Sequence, residues 1–472
     1  MSPKPTTLFA CQSCGSSSPK WLGRCPECGE WNSFVEEVRA ASPPSLRVHG
    51  SGARPLSEVV AIPGGRLQTG LPGLDRVLGG GLVPGSVVLL GGEPGIGKST
   101  LLLQASRGIA AGSREVLYAT GEESAEQVRL RADRLGVSAG TLLVLAETDV
   151  DCIVAEAAGR TPAAVVVDSI QAVRQPALAS AAGTVSQVRE CAATLARYGK
   201  ERGVPVLLVG HVTKDGSLAG PKSLEHLVDA VVSVDGERGS SRRILRATKN
   251  RFGPVDEVAL YEMTASGLEE IANASAALLS ERRAGVAGSA VTATREGTRS
   301  LLLEVQALVG PAIAGSARRV AIGVDAGRLA LLLAVLERAG VPLSSREVFV
   351  SCAGGLEVTE PAADLAVVAA LVSSARSQPL PGSSVFFGEI GLLGEVRRVP
   401  AAAARIREAA ALGFERVYLP SGNAVETPTA AGVELRCLER VSDLVREVAR
   451  TGSHGSARTA SRSGAGPIES EG

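Results

Sequence analysis

Four cysteines near the start of the chain fall in two pairs, Cys11-x2-Cys14 and Cys25-x2-Cys28, inside the run CQSCGSSSPKWLGRCPECGEW. Each pair lets two thiolates reach one ion from a tight turn, and Gly15 and Gly29 follow the pairs as turn-formers. Four thiolates in a tetrahedral array suit Zn²⁺ and leave no open position, so the expected site is structural. Two disulfides are the competing use of the same residues, and a reducing compartment disfavours them. Trp21 and Trp31 are expected to cover the metal.

A second constellation points to phosphate chemistry. Gly92-Glu93-Pro94-Gly95-Ile96-Gly97-Lys98-Ser99, followed by Thr100, fits G-x4-G-K-[ST]. In this pattern the glycines let backbone N–H groups wrap the phosphates of ATP, Lys98 reaches the β- and γ-phosphates, and the Ser99 hydroxyl ligates Mg²⁺. Asp168 follows an apolar run and takes the position of the carboxylate that holds Mg²⁺ through water. Glu122 and Glu123 end a third apolar run. Glu122 is preferred as the group that orients the attacking water; the other use of both acids is to cap the helix that follows. His211 ends a fourth run, where it is placed to sense the γ-phosphate. Beyond it, TKDGSLAGPKSLEHLVD reads as a loop whose Lys214 and Lys222 are candidate DNA contacts.

Strands must hold these groups. SVVLL, EVLYAT, PAAVVV and GVPVLLV are short apolar runs in a βαβ series. That series predicts a mostly parallel sheet with helices on both faces and the ligand at the strands' carboxyl ends. At 472 residues the chain exceeds one core. Lys plus Arg equals Asp plus Glu at 49 each, so any nucleic-acid contact must come from local patches. Apolar residues make up 45% but aromatics only 3%, which predicts a core of Ala, Val and Leu. No apolar run approaches the roughly 18 residues a membrane span needs, and the first residues lack the apolar stretch of a secretory signal, so a cytoplasmic chain is expected. Cys152, Cys191, Cys352 and Cys437 read as small buried hydrophobes. The expected layout is a zinc ribbon over 1–35, a linker over 36–55 rich in Pro, Gly and Ser, an ATPase domain over 56–270, an α+β domain over 285–450 and a disordered tail over 451–472.

From Arg238 to Arg251 stand six basic residues and no acid, ending in Lys249 and Arg251 beside Phe252 and Gly253. The four-cysteine ribbon, TGLPGLDRVLGGGLVPGSVVLLGGEPGIGKST, TGEES, VVVDSIQ, GHVTKDGSLAGPK and KNRFG together resemble the bacterial DNA repair protein RadA (Sms) family, up to about residue 450. The resemblance implies an α/β fold: a RecA-type P-loop ATPase core with an N-terminal four-cysteine zinc ribbon and a C-terminal α+β Lon-protease-like domain. It further implies a homo-hexameric ring driven by ATP on single-stranded and branched DNA. Its work would be branch migration and extension of strand-exchange joints, in partnership with the RecA recombinase. In such rings each ATP lies between two subunits, and Lys249 and Arg251 match the family motif as cations that neutralise γ-phosphate charge from the neighbour. A nucleotide-switched signalling ring of the wider RecA superfamily shares the TGLPGLDRVLGGGL lead-in and the P-loop; the ribbon and KNRFG favour the motor.

Peptidase chemistry of the Lon type needs a serine activated by a lysine amine. Where the protease carries serine after a proline, EPAADLA has Ala362, and no lysine occurs from Arg282 to Gly472. No peptidase is therefore expected. Arg318, Arg319, Arg397 and Arg398 of this domain are further candidate DNA contacts.

Overall fold

A computed structural model describes residues 6–11, 13, 15–39, 55–58, 65–138, 140–211, 223–236, 241–255, 257–296, 299–312, 317–353, 358, 360–424 and 432–459. The chain divides into two compact units, Met1–Ala272 and Asn273–Gly472.

The first unit opens with a small antiparallel sheet in which Thr6–Cys11 pairs with both Ser17–Ser18 and Phe34–Arg39. Thr6 stands opposite Arg39, so the ribbon strand runs past the boundary expected at residue 35. Most of the expected linker lies outside the described residues. The large sheet has nine strands among the described residues. In spatial order they are Gly267–Glu270, Val258–Thr264, Arg242–Asn250, Ala230–Asp235, Val87–Gly92, Val206–His211, Ala164–Asp168, Val116–Thr120 and Leu142–Ala146. The last six are parallel; the first three add antiparallel to their edge. The strand Arg242–Asn250 carries a bulge at Thr248, between Ala247 and Lys249.

The parallel strands are apolar on both faces because helices cover both. Val88, Leu90, Tyr118, Val166 and Val209 face the helix Lys98–Ala110, while Leu89, Leu117, Val167 and Leu208 face the helices Val150–Arg160 and Val185–Arg202. The lead-in helix Pro72–Val77 is held by its first backbone N–H groups: Gly73 donates to Glu270 (2.6 Å) and Leu74 to the Tyr261 hydroxyl (2.9 Å). A Cβ at Gly73 would lie 2.7 Å from that hydroxyl, so only glycine fits this approach.

The second unit is built on seven strands among the described residues. Their order is Arg319–Ile322, Arg346–Cys352, Arg299–Pro311, Ser289–Glu296, Ser384–Phe386, Arg416–Pro420 and Glu434–Leu438. Its central helix Asp364–Arg376 is buried from Asp364 to Ser373, as its apolar residues on every face demand. Glu389–Ile390 and Val396–Arg397 pair antiparallel as a short hairpin. The helix Val441–Thr459 extends into the segment read as a disordered tail. Among the described residues no helix is long and apolar enough to cross a membrane. Two of the scattered cysteines correct the sequence reading: Cys191 and Cys352 are buried, with thiols pushed up to about 12 by burial, but Cys152 and Cys437 are exposed.

Candidate functional site

The phosphate loop joins the central strand Val87–Gly92 to the helix Lys98–Ala110. Gly92, Gly95 and Gly97 take φ of +159°, +79° and +115°, values a side chain would strain, and a Cβ at Gly95 would meet nothing within 4 Å. The loop is thus an open cradle at a helix N-terminus, the geometry that receives phosphate. Glu93, Pro94 and Ile96 form the rest of the turn, and Ser99 and Thr100 follow in the first helical turn. The Lys98 side chain is buried and its amine donates to the carbonyls of Gly92 (2.8 Å) and Glu93 (2.9 Å). Burial lowers its pKa, and the nearby Asp168 and Glu122 carboxylates pull it back up. A buried cation with two carboxylates nearby, at a glycine loop that opens a helix, fits a nucleotide with its Mg²⁺. When bound, that pair supplies the scissile phosphoanhydride and the metal charge.

Sheet register brings the carboxylates to the loop. Gly92 lies beside His211, and Thr120 lies beside Asp168, all at the carboxyl ends of the parallel strands. The Tyr118 hydroxyl donates to Asp168 (2.6 Å). Burial, then the Asp168 charge, pushes the Tyr118 pKa well up, so the phenol stays a donor and orients that carboxylate. The two glutamates separate. Glu123 is ion-paired to Arg131, and its backbone N–H donates to the Thr120 hydroxyl (3.1 Å). Glu122 instead accepts from the Ser169 hydroxyl and faces Lys98. The capping duty weighed for both acids belongs to neither: Ser124 and Gln127 form the capping box of the helix Ala125–Arg134.

Three participants were not read from the sequence. Tyr118 and Ser169 hold the two carboxylates, and Arg243 donates from its Nε to the carbonyl of Ile96 in the phosphate loop (2.9 Å). A tyrosine in the middle of an apolar strand was the available signal, since a buried hydroxyl must find a partner. The His211 side chain, Lys214 and Lys222 lie outside the described residues.

Lys249 and Arg251 are not at this site. Asn250 pairs with Ala230, which pairs with Val88, so the KNRFG loop stands at the amino end of the strands whose carboxyl ends carry the P-loop. The Lys249 amine donates to the carbonyls of Glu225 and Val228 (the latter at 2.8 Å), and Arg251 pairs with Asp229 at 3.2 Å. From Ala230, the partner of Asn250, to Val234, the neighbour of Gly92, the strand rises about 13 Å. The loop is braced from below: Arg66 donates to the Phe252 carbonyl, Asn250 to that of Val77 (3.4 Å), and Gly253 packs on Gly79 so closely that a Cβ at either would lie about 3 Å from the other's Cα. Phe252 and Arg251 project outward.

In the ribbon, the sulfurs of Cys11, Cys25 and Cys28 lie within 4.8 Å of one another, and Cys11 and Cys28 are 3.7 Å apart. That spacing is too long for a disulfide of about 2.05 Å and equals the edge of a tetrahedron with Zn–S bonds of about 2.3 Å. Backbone N–H groups of Gly15 and Gly29 close the two knuckles on the carbonyls of Cys11 and Cys25. The donor set fits Zn²⁺; Cys14 lies outside the described residues. Trp21 and Trp31, expected to cover the site, stand 51% and 66% exposed. Phe34 fills the small space under the knuckles instead, with Phe9 and Leu22 beside it.

In the second unit Ala362 is buried in the core, and next to it Glu360 pairs with Arg405, whose side chain is fully buried and stacks over Phe387. Arg318 and Arg397 are held by Glu347 and by Glu389 and Glu395.

Comparison with known proteins matches residues 53–217 to the AAA domain family and residues 9–36 to the rubredoxin metal binding domain family. The DNA repair protein RadA of Bacillus subtilis is 48% identical over 94% of this chain and 98% of its own length. That of Pseudomonas aeruginosa is 47% identical over 93% and 98%. Among solved structures, the crystal structure of the RadB recombinase aligns with 43% of this chain and 99% of its own at 23% identity, with a TM-score of 0.36. With identities near one residue in two over almost the full length of both partners, the chain belongs to the family of the DNA repair protein RadA.

Proposed function

We propose that this chain is a DNA-stimulated ATPase motor that works as a homo-hexameric ring. It processes recombination intermediates by branch migration and by extending strand-exchange joints on single-stranded and branched DNA, with RecA. The observation that carries the reading is the split of its charged groups. Lys98, Glu122 and Asp168 gather at the carboxyl end of the sheet, while Lys249 and Arg251 stand at the other end, out of reach of their own phosphate loop. A cationic pair so placed serves a nucleotide held by a neighbouring subunit. Lys249 would give up two carbonyl hydrogen bonds to do so, and γ-phosphate charge offsets that loss.

Glu122 orients the attacking water, Asp168 holds the metal's water shell, and Lys98 neutralises the transferring phosphoryl group. Glu123, tied to Arg131, holds the turn. The cations Lys214 and Lys222 come after the strand Val206–His211 in the sequence and are assigned to DNA. The second unit scaffolds the ring and cuts no peptide. Ala362 in place of a nucleophile, the lack of lysine and the filling of that region by the Arg405–Glu360 pair all support this.

The test mixes Lys98→Ala subunits with Lys249→Ala subunits and measures ATP turnover with and without single-stranded DNA. Each variant alone should be inactive, and the mixture should regain DNA-stimulated turnover in composite sites. Equal inactivity at every ratio, or turnover indifferent to DNA, would sink the reading.

A further inference from the structure

The chain has two tryptophans, and the ribbon exposes both. All four tyrosines are buried, and Phe252 is the other exposed aromatic side chain among the described residues. The two indoles converge: a Cβ at Gly23 would stand 3.7 Å from Trp21 and 4.0 Å from Trp31. Their orientation is fixed. The Trp21 indole N–H donates to the Phe34 carbonyl (3.2 Å). The Arg24 guanidinium lies 5.7 Å from the centre of the Trp31 ring, held by its Nε donating to the Gly29 carbonyl (2.9 Å). Lys20 is exposed next to Trp21.

Leaving two large apolar rings in water is unfavourable unless something covers them. Two neighbouring aromatic plates with cations at their rim suit bases that stack on the rings and a backbone that meets the charges. The acids Glu27 and Glu30 offset Lys20 and Arg24 in the ribbon, so it is no general polyanion trap and stacking has to carry the contact. A duplex hides its base faces; an unpaired strand offers them.

We propose that the Trp21–Trp31 surface of the zinc ribbon stacks the unpaired bases of single-stranded DNA. This rests on the motor reading and deepens it, because it gives the ribbon the task of telling unpaired from paired strand. The metal's part is to hold the two knuckles rigid under the plates.

Since the chain has no other tryptophan, indole emission reports this surface alone. The zinc-loaded full chain is titrated with an oligothymidine strand, following indole emission and, in parallel, the anisotropy of a labelled strand. Quenching should track binding, and a duplex should quench far less. Trp31→Ala should weaken strand affinity at least about fivefold, and by a similar factor at low and high salt, since stacking releases no counterions. Trp31→Phe should recover most of the loss. Zinc content of each variant reports folding; if Trp31→Ala loses zinc, wild-type quenching and Trp31→Phe still decide. A strand that binds without quenching, and as tightly to the variants, overturns the proposal, leaves the motor intact and turns the surface over to a protein partner. If no DNA binds at all, both readings fall.

Discussion

Lys98 and Lys249 stand at opposite ends of one sheet and are tethered alike. Each amine donates to two backbone carbonyls, and burial lowers the pKa of each. Their company differs. Asp168 and Glu122 face Lys98 and favour its charge; Arg251 faces Lys249 and disfavours it, with Asp229 and Glu225 acting the other way. Lys98 belongs to a site its own chain furnishes with a phosphate cradle and two carboxylates. Lys249 sits with Arg251 on a braced loop, a pair of cations that in the proposed ring is a half-site awaiting an anion from a neighbour. On the proposed reading, the same residue type in a similar tether would serve two subunits.

Substitutions can break or sharpen that contrast. The largest effect is expected of Lys98→Ala, which should remove ATP turnover by about 10³-fold or more and weaken nucleotide binding, measured by steady-state hydrolysis and by titration with a fluorescent ATP analogue. Lys249→Ala should lower turnover by a factor on the order of 10³ yet leave nucleotide affinity of the isolated subunit unchanged; a matched loss of affinity would place Lys249 in its own chain's site and erase the contrast. Glu122→Gln should lower kcat by about 10²-fold or more while Glu123→Gln stays within about threefold. The reverse order would mean that the pairing of Glu123 with Arg131 breaks during turnover. The smallest effect is expected of Tyr118→Phe, which removes one hydrogen bond to Asp168 and should cost about 1 kcal/mol of stability in denaturant unfolding, with a few-fold rise in the Mg²⁺ needed for half-maximal turnover.

What the sequence made legible follows the range of the forces involved. The phosphate loop and the cysteine knuckles are local, since glycine freedom, a helix start and short ligand spacing lie within a dozen residues. The parallel pairing around Val87–Gly92 followed from the βαβ pattern. The preference for Glu122 over Glu123 had no partner to rest on in the sequence, because the group that ties up Glu123 is Arg131, further along the chain in the following helix. Arg243 was lost in a basic run, as its role rests on the antiparallel strand returning to Ile96. The tryptophans were misassigned because apolar size suggested burial, whereas a ribbon this small has room under its metal for little more than Phe34.

The strand Arg242–Asn250 has one end on the phosphate loop, through Arg243, and the other in the motif that carries Lys249. A pleated strand resists stretching, so a shift of about an ångström at the first end cannot be absorbed along its length, except at the single kink of Thr248. In the proposed ring each subunit would then act as a transmission rod, with the filling or emptying of one pocket tugging, through nine residues of strand, on the cations offered to the next.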